Sequence, residues 1–293
     1  MPELPEVEAL ARFLSDSLRG QRVAEVALAS LSAIKTVTPA VSDLLGRHVD
    51  GVRRHGKFLD LATVDGPHLV WHLSRAGWVQ WRENTLTTPV KPGKGPLALR
   101  MGFVSDDGEP TGRIDITEAG TQKRLAIYVV DDPAEVPGIA RLGPDALSDE
   151  LTREAFAGIL ASAGRAQIKG ILRDQSIIAG IGNAYSDEIL HAARISPFHP
   201  CSSLTDDEVG LLYDCMRATL STAIDNSVGH GTGTLKAEKK ANLAVHGRAG
   251  QACPVCGDTV LEVSFASSSL QYCPTCQTGG RPLADRRMSR LLK

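Results

Sequence analysis

Two cysteine pairs, Cys253-Pro-Val-Cys256 and Cys273-Pro-Thr-Cys276, lie sixteen residues apart, and they restrict the fold more than any other feature of the chain. Each two-residue spacer turns the backbone tightly enough for both sulfurs to face one ion. Four thiolates arriving as two close pairs suit tetrahedral Zn²⁺. The intervening LEVSFA (261–266) and SLQYC (269–273) are expected to pair as a hairpin, making a zinc ribbon. With all four positions filled by protein, one structural zinc is expected, with no place for a catalytic water. The competing reading, a redox or disulfide pair, is disfavoured in a chain expected to stay in a reducing compartment. Cys201 and Cys215 stand apart and read as ordinary residues of a helical region.

Upstream the texture changes twice. Residues 5–19 read as a helix: Pro5 suits a first turn, Val7, Leu10, Leu14 and Leu18 recur at helical spacing, and Gly20 supplies the stop. From there to about residue 131 come short strand-like runs: 22–28, 57–63, 68–73, 77–81, 97–103, 113–117 and 124–130. Several are separated by turn formers such as Asp65-Gly66 and Asp106-Asp107-Gly108. Many short strands with turns between them predict a β-sandwich. The proline-rich stretch 133–148 reads as a connection, and 152–163, 167–175, 183–193 and 206–224 have helical spacing.

Net charge is −2 over 293 residues, so the whole chain shows no polyanion bias. The distribution is uneven, because residues 229–293 hold nine Lys/Arg against four Asp/Glu. A basic third on an acidic body suits a polyanion partner, although charge alone fits an ordinary solvated surface equally well. The first twenty residues lack the apolar run of a signal peptide, and no stretch has the roughly 20 apolar residues of a membrane helix. A cytoplasmic address, with the nucleoid when bound to DNA, is therefore expected, as is a monomer.

Two further motifs carry chemistry. At the N-terminus, Met1-Pro2-Glu3-Leu4-Pro5-Glu6 would expose a secondary amine on Pro2 once Met1 is removed. An α-amine titrates at about 7.7–8.0, so a neutral fraction is available to attack a sugar C1′ and form an iminium. Glu3 is placed to move protons for that reaction. In Gly180-Ile-Gly-Asn183-Ala-Tyr-Ser-Asp-Glu188, the glycines predict a tight turn with Asn183 capping the following helix, where backbone N–H groups can hold a phosphate. Taken alone, each of these motifs also reads as ordinary: an uninformative Met-Pro start, and a packed helix–turn–helix.

Together and in this order, the three signals resemble the formamidopyrimidine-DNA glycosylase/endonuclease VIII family along nearly the whole chain. The match is specific at PELPE, at His55-Gly-Lys57, at 174–190 and at 245–257. The resemblance implies a multidomain α+β protein in three parts. These are a catalytic N-terminal β-sandwich (2–132), a helix–two-turn–helix DNA-binding domain (133–229) and a zinc-ribbon domain with a basic tail (230–293). It implies Pro2 as nucleophile, Glu3 as acid/base and Lys57 as a phosphate contact beside the damaged nucleotide. Glu6 matches a second acid and Glu188 a helix acid. Asn183 matches the phosphate-binding asparagine of the turn, Arg165 is an implied DNA contact where the family often has lysine, and Arg75, Lys123 and Arg124 fall in the loops that fill the void left by a flipped nucleotide. Cys253, Cys256, Cys273 and Cys276 are the implied zinc ligands.

The departures are specific. Ser268 stands where family zinc ribbons usually carry an arginine, and Arg75 replaces a methionine in His72-Leu-Ser-Arg75-Ala-Gly77. Gln122-Lys123-Arg124-Leu125 replaces a Pro-Arg-Arg-Phe-like loop. The segment between Leu235 and Val245 is short compared with members that cleave 8-oxoguanine, and residues 279–293 run past the usual end. The expected activity is a bifunctional glycosylase and abasic-site lyase acting on damaged duplex DNA, with oxidised pyrimidines favoured over oxidised purines. The rival from another class is a catalytically weak damage-binding protein. A zinc-ribbon transcription factor leaves the N-terminal motif unexplained.

Overall fold

Helix α1 (Leu4–Leu18) buries Val7, Leu10, Leu14 and Leu18, the apolar stripe that the spacing predicts, and Leu4 with them. Arg19 follows as C-cap and Gly20 takes a positive φ of 78°, a backbone conformation that ends the helix at little steric cost. The computed structural model describes residues 1–83, 90, 93, 95–120, 122–228, 239, 241–266 and 268–284.

Among the described residues of 1–141, α1 is followed by eight strands: β1 (Arg22–Leu28), β2 (Val49–His55), β3 (Phe58–Thr63), β4 (His68–His72), β5 (Gly77–Glu83), β6 (Leu97–Val104), β7 (Pro110–Glu118) and β8 (Ala126–Val130). They form two antiparallel four-stranded sheets, β1-β6-β7-β5 and β2-β3-β4-β8. Alternation decides which side chains meet between them. Leu99, Met101, Phe103, Ile114 and Ile116 from one sheet share a single buried core with Leu59, Leu61, Leu69, Trp71, Ile127 and Val129 from the other. This is the predicted sandwich, with α1 contributing to the same core. On the outer face of the second sheet, Phe58, Val70, Tyr128 and Val130 pack under Val136 and Ile139 of the connection that follows β8.

The chain divides into two compact units, one comprising residues 1–141 and the other joining the helices of 142–226 to the described residues from 239 onward. In the second unit lie α2 (Arg153–Ala163), α3 (Ile168–Arg173), α4 (Asn183–Ala192) and most of α5 (Asp206–Ser227). The hairpin β9 (Leu261–Ser264) and β10 (Ser269–Tyr272) pairs Leu270 with Val263, and a short helix, Pro274–Thr278, follows the third cysteine. Leu283 packs against Val263, Leu270 and Tyr272, and its N–H donates to the Tyr272 hydroxyl at 2.7 Å, so the tail is tied to the ribbon that far. The basic residues Arg286, Arg287, Arg290 and Lys293 lie outside the described residues. No described helix is long and apolar enough to cross a membrane.

Candidate active site and nucleic-acid interface

Pro2 is buried, and Glu3 and Glu6 are 3% and 1% exposed. Glu3 is the N-cap of α1, and the Glu6 carboxylate three residues on accepts the Glu3 backbone N–H at 2.8 Å. That bond satisfies one of the orphan donors at the helix start and fixes the backbone carrying Pro2 and Glu3. In sequence Glu6 stands out only as a second acid. The Glu-x-x-Glu spacing astride a helix start carried its positioning role.

Lys57 sits in the two-residue turn between β2 and β3, where His55 pairs with Phe58 and Gly56 takes a positive φ of 56°. A positive φ at the first turn position favours glycine, which accounts for the Gly-Lys order. Lys57 itself is 6% exposed. Arg54 ties this turn to α1: its Nε donates to Glu8 at 2.8 Å and its Nη1 to the Gly56 carbonyl at 3.1 Å. On the same hairpin the buried Asp60 carboxylate bridges His55 Nε2 at 3.1 Å and His68 Nδ1 at 2.7 Å. His72, paired with Phe58 across β3–β4, stacks on it with ring centroids 4.8 Å apart. Burial, and then the Lys57 charge, hold His72 down to about 4, so at neutral pH the ring beside the lysine is uncharged. Asp60 does not stand out in the sequence, and His72 enters it only as the start of the His72-Leu-Ser-Arg75-Ala-Gly77 stretch, because strand pattern does not show which polar residues meet across a sheet.

Arg75 is exposed on a turn closed by a Gly77 N–H bond to the Leu73 carbonyl at 2.8 Å. Ser74 holds a left-handed φ of 52° there, and a Cβ on Gly77 would lie 2.1 Å from the Leu73 oxygen. Lys123 and Arg124, both exposed, belong to a loop organised by Glu118, a residue that sequence pattern does not single out. The buried Glu118 Oε1 accepts the N–H groups of Arg124 at 2.7 Å and Leu125 at 3.0 Å, and its backbone carbonyl accepts Lys123 Nζ. The available signal is an acid at the very end of a strand, just ahead of a loop that carries two cations.

In the second unit, Gln175 braces the turn before α4. Its Nε2 donates to the Ile181 carbonyl at 2.7 Å and its Oε1 accepts the Gly180 N–H at 3.0 Å. Asn183 does not take the capping role expected of it. Gly182 occupies the N-cap, Asn183 is the first helical residue, and its Nδ2 donates to the Ser269 carbonyl of β10 at 2.7 Å. With Gly182 free to take the extended cap conformation, the Asn183 amide is released to reach the ribbon. Arg165 is exposed just ahead of α3. Lys169, 5% exposed, donates to Asp187 and to the Ser186 hydroxyl, both at 2.6 Å, and Asp187 also accepts from His246 Nδ1 at 2.7 Å. Glu188 accepts the N–H groups of Ala244, Val245 and His246 at 2.7, 3.0 and 2.8 Å. Burial pushes its carboxyl pKa up, against the opposing pull of those three donors.

The four cysteine sulfurs lie within 4.8 Å of one another, with Cys253–Cys276 at 3.9 Å and Cys256–Cys273 at 3.4 Å. Tetrahedral Zn–S bonds of about 2.3 Å require sulfur separations of roughly 3.8 Å, so the donor set fits one zinc ion. None of the four is in a disulfide. Ser268 accepts the Phe265 N–H at 2.8 Å and closes the ribbon turn where an arginine was the family expectation.

A β-sandwich with a buried Pro-Glu start, a helical unit bolted to a Cys₄ ribbon, and exposed cations on the loops together define a zinc-bearing DNA-processing class of protein. Family models agree in order: the formamidopyrimidine-DNA glycosylase N-terminal domain over residues 1–121, the formamidopyrimidine-DNA glycosylase H2TH domain over 142–235, and the zinc finger found in FPG and IleRS over 250–279. An uncharacterized formamidopyrimidine-DNA glycosylase-like protein of Mycobacterium tuberculosis is 56% identical over 161 residues, 55% of this chain and 99% of that one. The formamidopyrimidine-DNA glycosylase of Symbiobacterium thermophilum is 35% identical over 300 residues, covering 98% of this chain and 93% of that one. The crystal structure of the Lactococcus lactis formamidopyrimidine-DNA glycosylase bound non-covalently to abasic-site DNA superposes with a TM-score of 0.80. It is 25% identical and covers 94% of this chain and 99% of that one. The chain therefore belongs to the formamidopyrimidine-DNA glycosylase family of base-excision-repair enzymes, with one structural zinc in its ribbon.

Proposed function

We propose that this chain is a bifunctional enzyme that removes oxidised bases from duplex DNA and then nicks the strand through an imine at Pro2. The observation that carries the reading is the buried Pro2-Glu3 start, held by Glu6 at the N-terminus of α1. With Met1 removed, the Pro2 nitrogen attacks C1′ as the glycosidic C–N bond breaks and the base departs with a proton. Opening of the sugar ring and loss of the amine proton leave an iminium cation. Abstraction of the C2′ proton then expels the 3′ phosphate by β-elimination, and a further elimination releases the 5′ phosphate. Glu3 serves as the proton carrier, a role whose loss typically costs about 10²–10⁴ in rate. We assign phosphate contacts to Lys57, Asn183 and Arg165, and the space of the flipped nucleotide to Arg75, Lys123 and Arg124.

The lesion class we assign is oxidised pyrimidine, on the short segment between Leu235 and Val245, of which residues 236–238 and 240 lie outside the described residues. A second reading, formamidopyrimidine and oxidised-purine lesions, draws on the name shared by the full-length relatives. The three-part boundaries at 132/133 and 229/230, the monomer and the cytoplasmic address belong to the same reading.

Borohydride trapping on abasic-site duplex tests the chemistry. The protein starting at Pro2 should form a covalent adduct, and one extra residue before Pro2 should abolish both adduct and nick. An extended protein that traps and nicks normally removes Pro2 as nucleophile. Binding without either reaction in the Pro2-starting protein would establish the damage-binding alternative. Excision rates over a panel of oxidised pyrimidines and purines then assign the lesion class.

A further inference from the structure

Four thiolates around one Zn²⁺ leave the centre with a net double negative charge, which must be answered by hydrogen bonds when the sulfurs are shielded from water. The ribbon answers part of it locally, because the backbone N–H of Asp258 faces Cys256 sulfur and that of Cys276 faces Cys273 sulfur. Cys253, 2% exposed, is answered from outside the ribbon: His191 Nε2 on α4 lies 3.2 Å from its Sγ. His191 is itself 5% exposed. A metal-bound thiolate has no proton to give, so the proton of this contact belongs to Nε2, and the contact is an N–H···S bond donated by the histidine.

Helix α4 is fixed along the ribbon at several points. Asn183 holds the Ser269 carbonyl at its N-terminal end, and Asp187 accepts the Gln271 N–H at 3.2 Å. Beyond its C-terminal end, Gln277 Nε2 donates to the Ile195 carbonyl while Gln277 Oε1 accepts the Cys273 N–H, both at 2.9 Å. One cysteine of each pair is thus addressed from the α4 region, Cys253 by a side chain and Cys273 through its backbone. A helix of this length spans about 15 Å, so it links the zinc to the turn carrying Asn183 as one stiff element.

We propose that His191 is an outer-sphere partner of the zinc, a positioning residue whose N–H···S bond to Cys253 holds the metal tightly and couples ribbon occupancy to helix α4. The bond draws electron density from the Cys253 thiolate, stabilises the charged centre, and slows both metal loss and attack on that sulfur. Losing an outer-shell partner of a metal ligand typically lowers affinity about 10–100-fold.

The experiment uses the full chain loaded with Co²⁺ or Zn²⁺. In His191→Phe the thiolate-to-cobalt charge-transfer band should move to longer wavelength, and zinc transfer to a chromogenic chelator should accelerate about tenfold. His191→Gln, whose Nε2 can occupy the same place, should stay close to wild type in both. Identical spectra and rates for wild type and His191→Phe overturn the proposal. So does a His191→Gln protein displaced as far as His191→Phe, because packing rather than the bond would then be responsible. A measurement on wild type needs no variant: in ¹¹³Cd-loaded protein the His191 Hε2 proton should show scalar coupling to the metal through Cys253. Its absence, with couplings from the cysteine protons visible, also overturns the proposal.

Discussion

His72 shows how one partly buried residue writes a pH dependence into the molecule. Its folded pKa, about 4, lies below the ordinary 6.5, with burial the larger cause and Lys57 the second. In the unfolded chain it takes a proton near 6.5, whereas in the fold it resists one until about 4. Its stabilisation is therefore fully present above pH 6.5 and is lost as pH falls toward 4, amounting to ~3 kcal/mol across the window. Urea midpoints measured from pH 7.5 to 4 should fall more steeply for wild type than for His72→Gln, and parallel curves would contradict the assignment. Gly77 makes a sharper steric claim. A methyl group there lands 2.1 Å from the Leu73 carbonyl oxygen, and backbone on both sides cannot give cheaply. Gly77→Ala should cost about 3 kcal/mol or more in chemical denaturation, within the range of severe core changes. The glycine itself is visible in the sequence, but the carbonyl that forbids a side chain is not, since the turn that brings Leu73 back is set by Ser74 in a left-handed conformation a serine seldom adopts.

At the scale of elements, α1 and seven of the eight strands were legible because apolar periodicity or alternation survives in each. The strand that was not is β2. Gly51 and the charged run Arg53-Arg54-His55 break its alternation, and a register shift between Val49 and Gly51 moves its pairing by a residue. Its Arg54 is spent on the Lys57 turn rather than on solvent, a use that sequence pattern cannot display. The Glu118 loop poses the same difficulty and yields a test. Its carboxylate satisfies two backbone donors, and removing it leaves both without that acceptor, at about 1–3 kcal/mol for a buried group. Glu118→Ala should lower the unfolding free energy by ~2 kcal/mol. If Lys123 and Arg124 contact DNA, it should also weaken binding to abasic-site duplex while the nicking rate of saturated complexes changes little. Unchanged affinity at reduced stability would detach that loop from DNA.

Across the whole molecule, the order of motifs was readable while the contacts that join the ribbon to the helices were not. The ribbon is stitched to the helical unit by Glu188, Asp187, Asn183 and Gln277, and although Asn183 and Glu188 stand out in the sequence, their contacts with the ribbon do not. Charge is the other property of the whole chain, and it supplies the last prediction. Ser268 brings no cation to the ribbon turn, yet phosphate neutralisation supplies most non-specific DNA affinity. Residues 285–293 carry Arg286, Arg287, Arg290 and Lys293 against the single acid Asp285. We expect these cations to neutralise backbone phosphates. The place to cut follows from the packing: Leu283 anchors to Tyr272, so a chain ending at Ala284 keeps that contact and removes the four cations together with Met288, Leu291 and Leu292. That truncation should leave zinc content and thermal midpoint unchanged. It should weaken duplex binding and reduce the slope of log affinity against log salt by about 0.9 for each phosphate no longer neutralised. Adding Ser268→Arg to the shortened protein should restore part of the slope. An unchanged slope after truncation would mean that the tail takes no part, leaving Lys57, Arg165 and the loop cations to hold the backbone of the DNA.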